Sequence, residues 1–571
     1  MHATPHRVFI PLALLLAGCA GAPSITTVPA PHLAGSDEPR ELAVDQQAKH
    51  ALNRLTYGAK PEDVAAVIGQ GLDSWLQRQL TPENWPDSVD AMLAARFPVT
   101  GMTVRELVDS SPQLDVFLRR RRSSLGLAAN APYTMTADDS AHYKAMSDLG
   151  NRRVQQYLSA KLTRATLSQH QIAELMTDFW ENHFSVFRGK MPTQFTLLEY
   201  DRDIIRPRAL GRFRDLLGAV AHSPAMLYYL DNVQSGADSG QVTLADERRI
   251  VAAHTPAESE RIRQAALRRR GGLNENYGRE LLELHTLGVD GGYTQADVRN
   301  AARCLSGWTL ETPREGGAFL FNPATHDAGQ KVVLGHVFPA GRGIEDGEEL
   351  LDLLARQPAT ARFVATKLVR HFVADSAPPS LVRRATARFI ETDGDIREVM
   401  ATIVSSHEFY RRAGFRAKVK TPYELVVSSY RVLGAVPDTL RSVQLAAQLG
   451  QPMFGHLTPD GWPDQADAWM NTGSVLARIN FGSNAAAGRV PGIVPAKWTF
   501  TRVPAGAPRN ELVATIAHAV LEDELSPDTF DVMMSGVNPV AAQPGGGAAS
   551  RPATGVELVG LALGSPEFQR R

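Results

Sequence analysis

Cysteine is nearly absent from the chain: two residues in 571, Cys19 and Cys304. With Cys19 read as a lipid anchor, below, Cys304 stands alone, no internal disulfide can form, and the fold rests on its core. An excess of one charge is also missing. The 60 basic and 61 acidic residues leave a formal charge of −1, which gives no footprint for a nucleic-acid partner. Long apolar runs are missing too: the best, Val8 to Ala17, is about half the roughly 20 residues that span a bilayer. No Gly-x-Ser-x-Gly elbow, His-Glu-x-x-His, Cys-x-x-Cys or phosphate-cradling glycine loop occurs. Asp393-Gly394-Asp395 lacks the ligand spacing and closing Glu of a calcium loop and reads as the start of a helix.

What is present begins at the N-terminus. A short polar stretch carrying Arg7 precedes the apolar run, and small residues follow it, the plan of a secretory leader. Leu16-Ala17-Gly18-Cys19 resembles the lipobox of bacterial lipoproteins, which implies a signal peptide over 1–19 and acylation at Cys19. An ordinary secretory cut after Ala17 or Ala20 is the competing reading. Ala20 in place of an inner-membrane retention Asp favours the outer membrane, with the protein lipid-anchored in the cell envelope and facing the periplasm. The membrane is then a partner through the anchor. Residues 20–45, rich in Pro, Ala, Thr and Ser, read as a flexible tether.

From residue 46 to 571 helical periodicity dominates, and the fold class expected is mainly α: a multi-helix globular architecture with one small β-hairpin. Gln171 to Phe187 is the clearest amphipathic helix, with Ile172, Leu175, Met176, Phe179 and His183 on one face and Asp178, Glu181 and Asn182 on the other. Residues 234–272, rich in Ser, Gly, Asp and Arg, read as a mobile insertion, with a polar helix near 256–270. Asn274 caps a predicted helix to Leu287, ended by Gly288, and Thr294 with Asp297 forms a capping box for the next. Phe319–Phe321 and Val332–Leu334 are the predicted strands, joined by an Asn-Pro-rich turn. The basic run Arg119 to Arg122 reads as a solvated helix face, and Cys304 as a buried small residue.

Three segments carry polar residues that a plain scaffold does not need. His183 sits on an apolar face, so it must bond a buried partner, ligate a metal or lose its proton. Asn276, Arg279, Glu280 and Glu283 form one stripe of the 274–287 helix, with His285 two residues on. Two carboxylates at that spacing beside an imidazole suit a divalent metal or acid–base work. His326 lies in the turn of the predicted hairpin. The set His183, Asn276, Arg279, Glu280, Glu283, His285 and His326 is thus the candidate catalytic or ligand-binding group, with His183, Glu280 and Glu283 as metal candidates. Against this stands a structural reading: a histidine bonded to a backbone carbonyl, glutamates paired with arginines, and His285 favoured by a helix C-terminus.

The segments His50–Gly58, Phe179-Trp-Glu-Asn-His-Phe184, Asn274–Gly288, Tyr293-Thr294 with Asp297, Ser306-Gly-Trp308, and Gly461-Trp-Pro463 with Trp469 and Arg478 resemble the bacterial family catalogued as domain of unknown function 1800. The resemblance runs in order from about residue 46 to the C-terminus. It implies export, and an envelope partner from a sulfatase-like family often encoded beside it; it implies no reaction. Two departures stand out. Gly278 occupies a position where that family usually has Ala, at a helix cost of about 1 kcal/mol. The 234–272 insertion separates Leu230-Asp231-Asn232 from the Asn274 block. Two functions stay open: a metal-assisted or hydrolytic envelope enzyme, and a non-enzymatic helical scaffold that binds a partner protein or polymer.

Overall fold

Apolar side chains at three- and four-residue spacing make amphipathic helices, and helices with one apolar face must pack on one another. The computed structural model shows that outcome for the described residues, 28–33, 38–268, 272–312, 316–437, 440–503, 506–535 and 554–571. Cys19 and the segment 1–19 read as a leader lie outside them. The architecture is mainly α, with two small antiparallel hairpins. Its helices include Ala137–Leu167, Gln171–His183, Pro358–Phe372 and Pro422–Val432. A common core runs through them, and Trp180, Tyr200, Phe213, Tyr277 and Trp308 are among its largest fully buried side chains. Among the described residues no helix is long and apolar enough to cross a membrane.

The segment read as a tether is pinned at several points. The Val28 amide donates to Asn84 Oδ1 at 2.8 Å and Asn84 Nδ2 donates to the Val28 carbonyl at 2.7 Å. Arg40 pairs with Asp73 at 2.9 Å, and Leu42 is buried.

Within 234–272 the chain forms two helices, Leu244–Ala252 and Pro256–Leu267, each started by a threonine that accepts from a backbone amide three residues on. The approach to the first is tied down: Ala237 N donates to Thr325 O at 2.7 Å and Leu244 N to His326 O at 2.9 Å. The second buries only Ala266. The blocks on either side of the insertion meet, because Asn274 Nδ2 donates to the carbonyls of Leu230 and Asp231, each at 3.3 Å.

Asn274 caps its helix as expected, accepting from Asn276 N. The helix does not run on as one α-helix to Leu287. Glu275–Glu280 is α-helical and Leu281–Thr286 is a π-turn, with Leu287 N donating back to Leu282 O at 2.9 Å. One extra residue per turn moves the packed stripe along by a position. Leu284, expected to pack, is half-buried, and His285 takes the interior place. Gly278 has a packing reason: a Cβ there would lie 2.7 Å from Ala302 N and 2.8 Å from Val298 O. The Gln295–Cys304 helix therefore rests backbone to backbone on this point.

The two predicted strand segments do not pair with each other. Phe319–Phe321 pairs with Trp308–Leu310, and Lys331–Val333 pairs with His336–Phe338. Leu334 and Gly335, at φ 51° and 79°, supply the two left-handed residues of a tight reversal, which closes the second hairpin locally.

Candidate functional site

The last turns of Gln171–His183 open on a cleft of about 490 Å³. Asp178, Glu181 and Asn182 come from that helix, Lys161 from Ala137–Leu167, and Lys367, Arg370 and His371 from Pro358–Phe372. A capping box starts Pro422–Val432: Thr421 Oγ1 accepts from Glu424 N while Glu424 accepts from Thr421 N, with Pro422 at the first position. That start sets Tyr423 and Glu424 in the wall. The segment 451–465 completes it with His456, Trp462 and Asp464.

Beneath Glu181 lies a buried charge cluster. Lys161 Nζ is 2.7 Å from Glu181 and 3.8 Å from Asp201; Arg206 is 2.9 Å from Asp201 and also pairs with Glu174. Two cations thus face three carboxylates, and Asp178, close by, adds a fourth with no hydrogen bond or ion pair to the described residues. Such an imbalance away from water raises the affinity of the least compensated carboxyls for a proton. Burial raises the Asp178 carboxyl to about 6 and outweighs Lys161. It raises Glu181 as well, against the same lysine. Asp201 stays below the usual range, because Arg206 and Lys161 overcome its burial.

On another wall His371 Nδ1 lies 2.8 Å from Asp464 Oδ1. Burial pushes that carboxyl up, yet His371, Lys418 and Arg571 hold it well below its ordinary value. An ionised carboxylate only accepts, so Nδ1 carries a hydrogen toward Asp464 and the ring is turned with Nε2 on its other side. His371 Nε2, Glu181 Oε1 and Tyr423 Oη are buried in this lining with no hydrogen-bond partner among the described residues. Burial brings Lys367, also in the lining, down to about 8.

The residues singled out by sequence fall in three places. His183 and His285 are buried together, with His183 Nε2 3.1 Å from the His285 carbonyl, to which it donates. Burial first, then the Lys367 charge, keeps both imidazoles neutral; His285 is lowered to about 3. Asn276, Arg279, Glu280 and Glu283 lie along a partly exposed stripe, where Arg279 donates to Gln295 at 3.0 Å. Burial and the neighbouring Glu283 lift Glu280 to about 7. His326 belongs to a separate buried network: its Nδ1 is 2.7 Å from Ser306 O and its Nε2 3.4 Å from Asp346, which Lys331 also pairs at 2.6 Å. Among the described residues no group of three or more His, Cys, Asp or Glu is placed to hold a metal ion. His183, Glu280 and Glu283 do not form one.

The cleft residues Lys161, Asp178, Glu181, Lys367, His371, Tyr423 and Asp464 were absent from the sequence-derived set. Two signals pointed near them. Glu181 and Asn182 stand inside the Phe179–Phe184 block, and Asp464 follows Gly461-Trp-Pro463. These two motifs meet in space: Asn182 Nδ2 donates to Trp462 O at 2.9 Å and Trp462 N donates to Asn182 Oδ1 at 2.7 Å. Gly461, at φ 76°, allows the approach, since a Cβ would lie 2.2 Å from Asn182 O.

These elements define a mainly helical protein with a charged cleft, in whose lining His371 Nε2, Glu181 Oε1 and Tyr423 Oη have no hydrogen-bond partner among the described residues. The chain belongs to the family described as protein of unknown function DUF1800, whose model matches residues 50–570. No curated protein and no solved structure matches it.

Proposed function

We propose that the chain is a lipoprotein of the cell envelope, anchored through Cys19 and facing the periplasm, whose cleft carries general acid–base hydrolysis of a polar envelope polymer. One observation carries this reading: three buried polar atoms, His371 Nε2, Glu181 Oε1 and Tyr423 Oη, line one cleft with no protein partner. Buried polar groups are nearly always satisfied, and in a cleft a ligand can supply the partner that the protein does not. His371, oriented by Asp464, takes a proton from water as the water oxygen attacks. Glu181, which burial favours in its protonated form, gives its proton to the leaving group. The proton then passes from His371 back to Glu181, which restores both. A metal-assisted version has no three-ligand donor group among the described residues to support it.

Purified protein lacking residues 1–19 should release reducing ends or amines from envelope polysaccharide or sacculi. His371→Gln and Glu181→Gln should each lower the rate by about 10²-fold or more, with thermal unfolding still cooperative. A wild type that binds these polymers without cleaving them, indistinguishable from His371→Gln, would sink the enzyme and leave a helical scaffold.

A further inference from the structure

Lys367 and Arg370 lie one turn apart on Pro358–Phe372, and both line the cleft. Neither side chain makes an ion pair or a hydrogen bond with the described residues, and Arg370 Nε is buried with no partner. Like charges at this spacing repel, and helices ordinarily relieve them with a carboxylate. The nearby carboxylates are already engaged. Asp464 holds His371, and Asp460 accepts from Thr458 Oγ1 at 2.6 Å and stands 3.5 Å from His456. Asp178 and Glu181 come from a different helix; Glu181 pairs with Lys161 at 2.7 Å, and burial raises both carboxyls, which weakens their charge toward this helix.

Trp462 lies in the same lining, half-buried. Its backbone is clamped on both sides by the Asn182 amide, and its ring stands between those of His456 and Trp469, with centroids 4.6 and 5.9 Å away. An aromatic face fixed this firmly, amid unpartnered hydrogen-bonding groups, suits a sugar ring: C–H bonds on the π face and hydroxyls toward polar side chains. We infer that the cleft takes an anionic saccharide, with one sugar ring on Trp462 and its carboxylate or sulfate between Lys367 and Arg370. This deepens the acid–base reading, on which it rests for the site but not for the outcome of its test. Asn182 acts as a positioning residue that holds the platform.

The test is calorimetric binding to His371→Gln protein lacking residues 1–19, so that no turnover is needed. The probes are chitotetraose, tetragalacturonate and a sulfated tetragalactoside. At least one anionic tetramer should bind ten or more times tighter than chitotetraose, and the preferred one identifies carboxylate or sulfate as the group read. Lys367→Met with Arg370→Gln should erase that preference, so that the anionic tetramers bind no tighter than chitotetraose does to the same double variant. Trp462→Ala should weaken every probe about tenfold, Asn182→Ala should do the same in part, and Trp462→Phe should restore most of the affinity. Equal binding of neutral and anionic tetramers, a preference that survives the double change, or no binding at all would overturn the inference. Selective binding by His371→Gln, with no turnover by the wild type, would instead sink the acid–base reading and leave this one standing.

Discussion

A buried imidazole without a counter-charge links folding to pH. His285 is fully buried, and neither ring nitrogen has a partner. Its folded-state value of about 3 lies below the unfolded value, so the unfolded chain binds the proton first as pH falls. Stability from this residue is complete above about pH 6.5 and is lost as pH drops toward 3, at up to about 1.4 kcal/mol per pH unit. His183 works in the same direction. His285→Gln should therefore flatten the fall in unfolding free energy between pH 6.5 and 5, measured by urea titration at each pH. An unchanged slope would mean that the imidazole is charged and paired in the folded protein. The sequence placed His183 on an apolar face and so required a buried partner, a metal or the loss of its proton; the His285 carbonyl is a buried partner, and burial lowers the imidazole as well. It could not show that His285 is interior as well, because the π-turn that rotates it inward leaves no trace in apolar spacing.

Elements that signal themselves locally were legible: the caps at Asn274, Thr294 and Asp395, the amphipathic face of Gln171–His183, and the helical run of 234–272 near residue 260. Elements defined by remote partners were not. Phe319–Phe321 pairs with a strand on its N-terminal side, and the cleft gathers residues 161, 181, 371, 423 and 464 from distant parts of the chain. A polar side chain facing a wet cleft has the same periodicity as one facing bulk water, so Asp178, Glu181 and Asn182 read as an outward face. Element stability differs in the same way. Pro256–Leu267 buries one alanine and exposes Arg261, Arg263 and Arg268, so little holds it against local opening. The stretch 482–508 also carries arginines, but Val490, Ile493 and Trp498 anchor it in the core. Limited trypsin digestion should cut first between residues 248 and 268, as read by mass spectrometry of the earliest fragments. First cuts at Arg489 or Arg502 would reverse that order of stability.

For the whole molecule, the proposed anchor at Cys19 would set what the cleft can reach. Val28 is already pinned to Asn84, so only eight residues lie between it and Cys19, a span of about 30 Å at most. An acylated Cys19 would hold the folded body against the membrane surface, and the cleft would act on polymer lying close to it. Attachment needs two or more acyl chains, since each buried CH₂ contributes about 0.8 kcal/mol and a single chain leaves binding reversible. Cys19→Ser removes the thiol that acylation requires and leaves Val28–Asn84 and the rest of the core untouched. The variant should lose labelling by radioactive palmitate and either move to the soluble fraction or accumulate as an unprocessed precursor. Processed variant protein should unfold at the same temperature as wild type stripped of residues 1–19. Palmitate labelling and membrane fractionation unchanged in Cys19→Ser would rule out the lipobox reading, and an uncleaved or conventionally cleaved leader would take its place.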